Sequence, residues 1–196
     1  YGGQGDQVLA KIRDVLRKEV KKDELITYVA STDDFPLDLI RKSDLPANKS
    51  LKFDERDIED ILEYKKGPYT FMVLSLLYPE LKYGQVKFHQ DHMHPRSLFT
   101  YFKLNKLGIN DEKIGEWQEN KEKLGNLQIL EGLENETKSK TPLKEWFENQ
   151  VNDKKGYKEK NCFPEGISLE LTNFEEFYSK RREILKNKIK GILIKT

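Results

Sequence analysis

Apolar residues recur at helical spacing through the first third of the chain. Over 6–28 they fall three or four positions apart, which predicts an amphipathic helix. A second helix is expected to begin with Asp54 as its N-cap, because an aspartate side chain can accept from the free amide groups of a first helical turn. Gly67-Pro68 ends that helix, and the apolar run 70–77 predicts another, buried one. Residues 1–84 therefore predict a small helical bundle.

The pattern changes at residue 85, where apolar and polar residues alternate over 85–89 and predict a short strand. A second strand is expected over 127–130, bounded by Gly125 and Gly132. The other predicted elements are helices over 98–107 and 111–123, helices starting near 134, 141 and 173, and a polar loop over 154–166. Strand, long insertion, strand and helix thus succeed one another along the chain.

These elements predict an α+β fold that is mostly helical and has two domains. The helical connector occupies 1–84 and the second domain 85–196, with a core over 85–150 and a closing helix over 173–194. A chain of 196 residues is long enough to bury such cores. Trp117 and Trp146 fall at helical positions and are expected in the core rather than stacked on bases.

Composition narrows the class of protein. Aromatic residues make up 11% of the chain, which argues against disorder. Cys162 is the only cysteine, so an intramolecular disulfide and a cysteine-rich zinc site are excluded, which is compatible with a cytoplasmic protein. No apolar run approaches the ~18 residues that span a bilayer, so no membrane association is expected. The chain begins without methionine, and we expect it to be part of a longer protein.

Charge is unevenly distributed although the net charge is only +1. Acids outnumber lysines over 111–136, whereas lysine and arginine dominate 180–196. Such a basic end can hold phosphate, and it can equally be the solvated face of a helix.

All three histidines, His89, His92 and His94, lie within six residues and beside Asp91. Asn126 and Asn135 follow downstream. Phosphodiester hydrolysis needs an activated water, neutralised phosphate charge and help for the leaving oxygen. A histidine suits the first task, and a hard cation held by Asp and Asn oxygens suits the other two. The order of these residues therefore favours a one-metal phosphodiester hydrolase.

The segments Asp91–Ser97, Asn126–Leu130 and Asn135–Lys138 resemble the motifs of ββα-metal HNH nucleases. More narrowly, they resemble the C-terminal HNH domain of GmrSD-type modification-dependent restriction proteins, and they are also similar to the HNH domain of CRISPR effector nucleases. The specific match covers 88–146, and 177–185 is similar to the closing helix of the family.

The resemblance implies a role for each motif residue. His92 would be the general base, and Asp91 and Asn135 would hold Mg²⁺ or Mn²⁺. Asn126 would hold the motif loop and orient His92 through a hydrogen bond, while Lys138 could meet a phosphate oxygen. His89 and His94 are expected to take surface or second-shell roles. Candidate contacts to the DNA backbone are Arg96, Lys140, Lys180, Arg181 and Arg182.

The resemblance also implies a wider function, namely a metal-dependent DNA endonuclease module of a bacterial anti-phage restriction protein. Its partners would be DNA, which is often modified, and an N-terminal ParB-like NTPase domain of the same protein. It leaves open nicking or double-strand cleavage, and association as a homodimer. Two alternatives stay open: a catalytically inactive DNA-binding module, and a helical interaction domain whose histidines bind a structural metal.

Overall fold

The computed structural model describes residues 5–19, 37–46, 49–78, 81 and 84–194. These residues are mostly helical and contain one two-stranded antiparallel sheet, which confirms the predicted α+β, mostly helical class. The chain divides into two compact units, Tyr1–Phe53 and Asp54–Thr196. The predicted boundary at residue 84 lies inside the second unit. Across the described ranges, no helix is long and apolar enough to cross a membrane.

The first unit contains α1, Gly5–Glu19, and α2, Leu37–Arg41, which pack against each other. Ile40 and Leu45 are buried in it. The helix expected over 6–28 is confirmed as far as residue 19, and the rest of that segment lies outside the described residues. All the candidate site residues belong to the second unit.

The second unit begins with α3, Glu55–Leu62, and α4, Pro68–Leu77. Asp54 is the N-cap of α3, as predicted. Its Oδ1 accepts from the amides of Arg56 (2.8 Å) and Asp57 (3.0 Å), and Asp57 accepts in return from the Asp54 amide (2.8 Å). This reciprocal capping box satisfies amide groups that an isolated first turn leaves free. Both helices pack against the long helix at the C-terminal end of the unit.

The sheet consists of β1, Phe88–His92, and β2, Leu127–Glu131. The two strands are antiparallel, and Asp91 lies opposite Gln128. β1 begins three residues later than the predicted strand over 85–89, so the Asp91-His92 pair lies inside the strand. Gln90, Asp91 and His92 each have a hydrogen-bond partner outside the strand, a feature that alternation along the sequence does not reveal.

The insertion between the strands contains α5, Tyr101–Lys106, and α6, Asp111–Asn120. Thr100 and Asn110 cap them with side-chain oxygens that accept from the first turn of each helix. The insertion folds onto the C-terminal helix through a buried cluster of apolar residues, namely Phe99, Leu104, Ile114, Trp117, Phe174 and Tyr178. Trp117 is therefore a core residue, as predicted.

Helix α7, Gly132–Lys138, follows β2 directly and contacts both strands. Two further helices come next, α8, Leu143–Asn149, and α9, Lys154–Lys160, and α10, Phe174–Leu193, closes the unit. They enclose a second apolar cluster, which is formed by Met93, Leu143, Trp146, Phe147, Tyr157, Phe163 and Phe177. Strand, insertion, strand and helix thus occur in the predicted order.

Helix α9 corrects the sequence prediction, which placed a polar loop over 154–166. Asp153 caps it, because its Oδ1 accepts from the Gly156 amide at 2.9 Å. Tyr157 is the buried residue of this helix. A helix of two turns that buries a single residue carries no periodic apolar pattern, so the sequence offered no helical signal here.

Candidate functional site

Two adjoining clefts lie between the end of β1 and the end of α7, and Asp91, Ser139 and Lys140 line both. We call them together the Asp91 cleft. The first has a volume of about 450 Å³, and its other lining residues are His92, Pro95, Arg96, Ser97 and Thr100. The second has a volume of about 370 Å³, and its other lining residues are Lys66, His89, Gln90, Asn135 and Glu136. Asp91 therefore lines the first cleft together with His92 and the second cleft together with Asn135.

Two buried side chains hold the Asp91 carboxylate in place. Its Oδ2 accepts from Lys138 Nζ at 2.7 Å and from Gln128 Nε2 at 3.3 Å. The Lys138 ammonium also donates to the His92 carbonyl at 2.6 Å, and its side chain is fully buried. Burial lowers the pKa of Lys138, and the charge of Asp91 opposes this shift. Lys138 is therefore an internal partner of Asp91, and its burial excludes the expected contact with a phosphate oxygen.

Gln128 belongs to a buried hydrogen-bond chain that runs from the core to Asp91. Trp146 Nε1 donates to the Tyr157 hydroxyl at 3.1 Å, and this hydroxyl donates to Gln128 Oε1 at 2.9 Å. Since Gln128 is fully buried, both ends of its amide are fixed by these contacts. The sequence treated Gln128 only as a strand residue, yet its amide restrains the Asp91 carboxylate.

The ring of His92 is nearly enclosed, with 9% of its side chain exposed, and its Nε2 lies 3.1 Å from Glu122 Oε2. Burial lowers the pKa of His92, and the Glu122 carboxylate opposes the shift without reversing it. His92 is therefore neutral at neutral pH, which is the protonation state that a general base requires.

Asn126 holds the motif loop through its backbone and its side chain. Its carbonyl accepts from the Met93 amide at 2.7 Å, and its Oδ1 accepts from the His94 amide at 2.9 Å. Its Nδ2 donates to the carbonyls of His94 (3.1 Å) and Lys121 (2.9 Å). Both amide donors are thus engaged by the backbone, and the expected hydrogen bond from Asn126 to His92 is replaced by the contact with Glu122.

The other two histidines differ in environment. His94 is buried, with its ring edge-on to Phe174 and Phe177 at centroid distances of 5.5 and 5.1 Å. Burial lowers the pKa of His94 to about 3. His89 is half-buried and lines the cleft beside Asn135. Neither has the position of His92, so the geometry distinguishes the three histidines where their spacing does not.

Glu122 is a site residue that the sequence analysis missed. Its Oε1 lies 3.0 Å from Arg96 Nε and 3.4 Å from Lys121 Nζ. Burial raises the pKa of Glu122, but the hydrogen bond with His92 and the charges of Lys121 and Arg96 outweigh it, so its pKa is lowered. The sequence offered only the acidic character of the insertion as a signal.

The predicted basic triplet at the C-terminal end does not line the cleft. Arg181 is fully buried and donates to four backbone carbonyls, which excludes it from contact with DNA. Arg182 pairs with Glu59 and Glu63 at 2.7 and 3.1 Å. Lys180 is exposed on α10 and lines a separate shallow groove. Of the predicted cations, Arg96 and Lys140 are the ones that line the Asp91 cleft.

The chemistry of the donors in the cleft fits a hard cation. Asp91 and Asn135 supply side-chain oxygens, which magnesium and manganese prefer. Among the described residues, no hydrogen bond reaches Oδ1 of Asp91 or the side-chain amide of Asn135. The same residues contain no group of three or more His, Cys, Asp and Glu that could hold a metal ion. A cation would therefore complete its coordination with water and phosphate oxygens.

Comparison with known proteins adds no relative to these observations. No protein-family model matches the chain, and no curated protein matches it significantly. The residues of the Asp91 cleft are therefore what connects this chain to a function.

Proposed function

We propose that the chain is a metal-dependent DNA endonuclease module of the HNH type, with β1, β2 and α7 as its ββα-metal core. The observation that carries this proposal is that Asp91 lines one space with His92 and an adjoining one with Asn135. A base, a carboxylate and an amide oxygen are the groups that one-metal phosphodiester hydrolysis needs.

His92 is the general base in this proposal. Its Nε2 is engaged by Glu122, so the other ring nitrogen, Nδ1, remains for a water molecule. Because burial keeps the ring neutral, Nδ1 can take a proton from that water as it attacks phosphorus. The closed surroundings of the ring restrict its rotation, which favours one orientation of the base.

Asp91 and Asn135 would hold Mg²⁺ or Mn²⁺. The ion would supply Lewis-acid stabilisation of charge on the phosphate and the leaving oxygen. Lys138 and Gln128 restrain Oδ2 of Asp91, which keeps the carboxylate in one orientation. Their contribution is indirect, because both side chains are enclosed in the protein.

The cations on the rim of the cleft would bind the DNA backbone. Arg96 and Lys140, and with them Lys66, are exposed at the Asp91 cleft. Contacts from such side chains to phosphates position a duplex without reading its sequence. Lys66 lies outside the predicted nuclease domain, which was expected to begin at residue 85.

The wider role rests on the motif resemblance. It places the module in a bacterial anti-phage, modification-dependent restriction protein, in the cytoplasm, with a ParB-like NTPase domain in the same protein. The DNA target would be modified, and two copies could act together as a homodimer. The structural-metal alternative is less well supported, because the described residues bring no third histidine or carboxylate to a shared site.

A supercoiled-plasmid assay tests the proposal. We expect nicked or linear product with Mg²⁺ or Mn²⁺ and none with EDTA. Asn135→Ala should remove cleavage while a mobility shift of the DNA persists, since the lost oxygen is a metal ligand. DNA binding without cleavage by both this chain and the full-length protein would favour the inactive DNA-binding alternative. Cleavage by the full-length protein alone would show that further domains are required.

A further inference from the structure

Glu122 comes from the insertion and yet contacts two residues of the Asp91 cleft. It lies just after α6, and its backbone carbonyl accepts from the Lys66 amide at 3.0 Å. Two residues later the Leu124 amide donates to the Tyr64 carbonyl at 2.9 Å. These two bonds fix the backbone on both sides of the Glu122 side chain, which is 22% exposed.

The two carboxylate oxygens of Glu122 have different partners. Oε2 lies 3.1 Å from His92 Nε2, and Oε1 lies 3.0 Å from Arg96 Nε. The first contact is a hydrogen bond, whereas the second is an ion pair without hydrogen-bond geometry. Glu122 thus joins the proposed base to a cation on the rim of the cleft.

We propose that Glu122 is a positioning residue that fixes the tautomer of His92 and attracts the side chain of Arg96. The inference rests on the proposed nuclease function and deepens it. A carboxylate at Nε2 requires the proton of the neutral ring on that nitrogen, so the lone pair lies on Nδ1. A neutral histidine without such a partner populates both tautomers, and the one protonated on Nδ1 could not accept a proton there.

Arg96 gains from the same contact. Its side chain is 73% exposed and would otherwise sample many rotamers. The ion pair at Nε leaves the terminal nitrogens available for paired hydrogen bonds with phosphate oxygens. One carboxylate therefore contacts both the ring that would activate water and the side chain that would bind the phosphate.

The ring tautomer provides a direct test that does not depend on cleavage. With ¹⁵N-labelled protein at about pH 8, where histidine is neutral, the ring nitrogen shifts of His92 distinguish Nε2–H from Nδ1–H. We expect Nε2–H in the wild type and a mixture of tautomers in Glu122→Ala. A wild-type ring protonated on Nδ1 would overturn the inference whether or not the protein cuts DNA.

The kinetic test uses the full-length protein if this chain alone is inactive. Glu122→Ala should lower kcat for plasmid nicking at least about 10–100-fold, by analogy with the loss of a hydrogen-bond partner that fixes the tautomer of a metal-bound histidine. Glu122→Asp should recover part of this loss, because it keeps the carboxylate. Glu122→Ala with unchanged kcat in a protein that nicks DNA would overturn the inference. No nicking by the wild type would instead contradict the proposed function.

Glu119 provides the matched control, because it is a glutamate of the same insertion. Its carboxylate pairs with Lys65 at 2.8 Å, and both side chains are mostly exposed. Glu119→Ala should leave both the His92 tautomer and kcat unchanged within about twofold, since an exposed pair contributes little. Equal effects of the two substitutions on the tautomer and on kcat would overturn the specific role of Glu122.

Discussion

Among single residues, Asp91 has a structural role and, in the proposed nuclease, a chemical one. The fully buried ammonium of Lys138 lies 2.7 Å from its carboxylate. A buried cation that loses its counter-charge destabilises a protein by several kcal/mol. Asp91→Ala would therefore remove the proposed metal ligand and also leave Lys138 without its counter-charge, so loss of activity in that variant alone would be ambiguous.

A double-mutant cycle separates these roles. We expect Asp91→Ala to lower the free energy of unfolding by about 3 kcal/mol. Adding Lys138→Met should restore about 1–2 kcal/mol, because methionine fills the same space without a charge. Both variants should lack cleavage. Urea unfolding measures the free energies, and strictly additive effects would contradict a coupled buried pair.

His94 makes stability depend on pH. Its pKa is about 3 in the folded protein because the ring is buried, whereas an unfolded histidine titrates near ~6.5. The unfolded state thus binds more protons between these values. The contribution of neutral His94 is complete above pH ~6.5 and is lost progressively as the pH falls towards ~3.

The comparison with His94→Phe isolates this contribution. Between pH 7 and pH ~4.5 the wild type should lose about 2–3 kcal/mol more stability than the variant, which has no titrating group at this position. Phenylalanine suits the site because its neighbours are Phe174 and Phe177. Denaturant unfolding at the two pH values measures the difference, and parallel losses in both proteins would contradict the buried neutral histidine.

At the scale of elements, α10 fixes the segment that leads into β2. The guanidinium of Arg181 donates to the carbonyls of Gly125 and Leu127 at 2.7 and 2.8 Å, and its Nε donates to Asn161 at 2.9 Å. Gly125 is required here because a Cβ at this position would lie 2.4 Å from the Tyr178 ring. The motif loop held by Asn126 is thus built against the closing helix.

Arg181→Met should lower the free energy of unfolding by about 3–5 kcal/mol, because several buried carbonyls lose their donor at once. Lys180→Met on the same helix is the control, and it should change stability by less than about 0.5 kcal/mol, since Lys180 is exposed. Chemical denaturation of both variants measures the difference. Similar small effects would contradict the structural role assigned to Arg181.

The order of the elements could be predicted from sequence, and the contacts between them could not. Periodicity located α3 and both strands approximately, because their apolar residues face a core. It missed α9, in which one tyrosine is buried, and it placed β1 three residues early. The position of β1 depends on the side chain of Gln90. Its Oε1 accepts from the Gly67 amide at 3.1 Å, and its Nε2 donates to the Gly67 carbonyl at 3.0 Å. Such a tertiary contact leaves no periodic trace.

The same limit applies to the candidate site. Asp91, His92 and Asn135 could be selected because their residue types and order suit a chemistry, and the structure brings all three to the Asp91 cleft. The roles of Lys138 and Arg181 could not be predicted from the sequence, because the burial of a side chain depends on the whole fold. Glu122 resembles every other acid of a charged insertion until its side chain is seen against His92.

In the molecule as a whole, folding pairs many of the basic residues near the C-terminal end with acidic residues of another helix. The cations of α10 pair with acids of α3 and of its C-cap, Glu63: Arg182 with Glu59 and Glu63, Lys186 with Glu59, and Lys190 with Glu55. The basic end of the sequence is therefore largely a packing surface between two helices. The cations that line the Asp91 cleft come from three other segments, and they would supply the phosphate contacts of the proposed nuclease in a protein with a net charge of only +1.

A comparison of two histidines of one strand tests most directly whether the Asp91 cleft is a nuclease site. His92 and His89 both belong to β1, but His92 has the protonation state and partner of a base. In the Mg²⁺-dependent plasmid assay, His92→Ala should lower nicking at least 100-fold, within the range for loss of a general base, and His89→Ala less than about tenfold. Nicking that survives in His92→Ala would contradict the assignment of this cleft as a nuclease site.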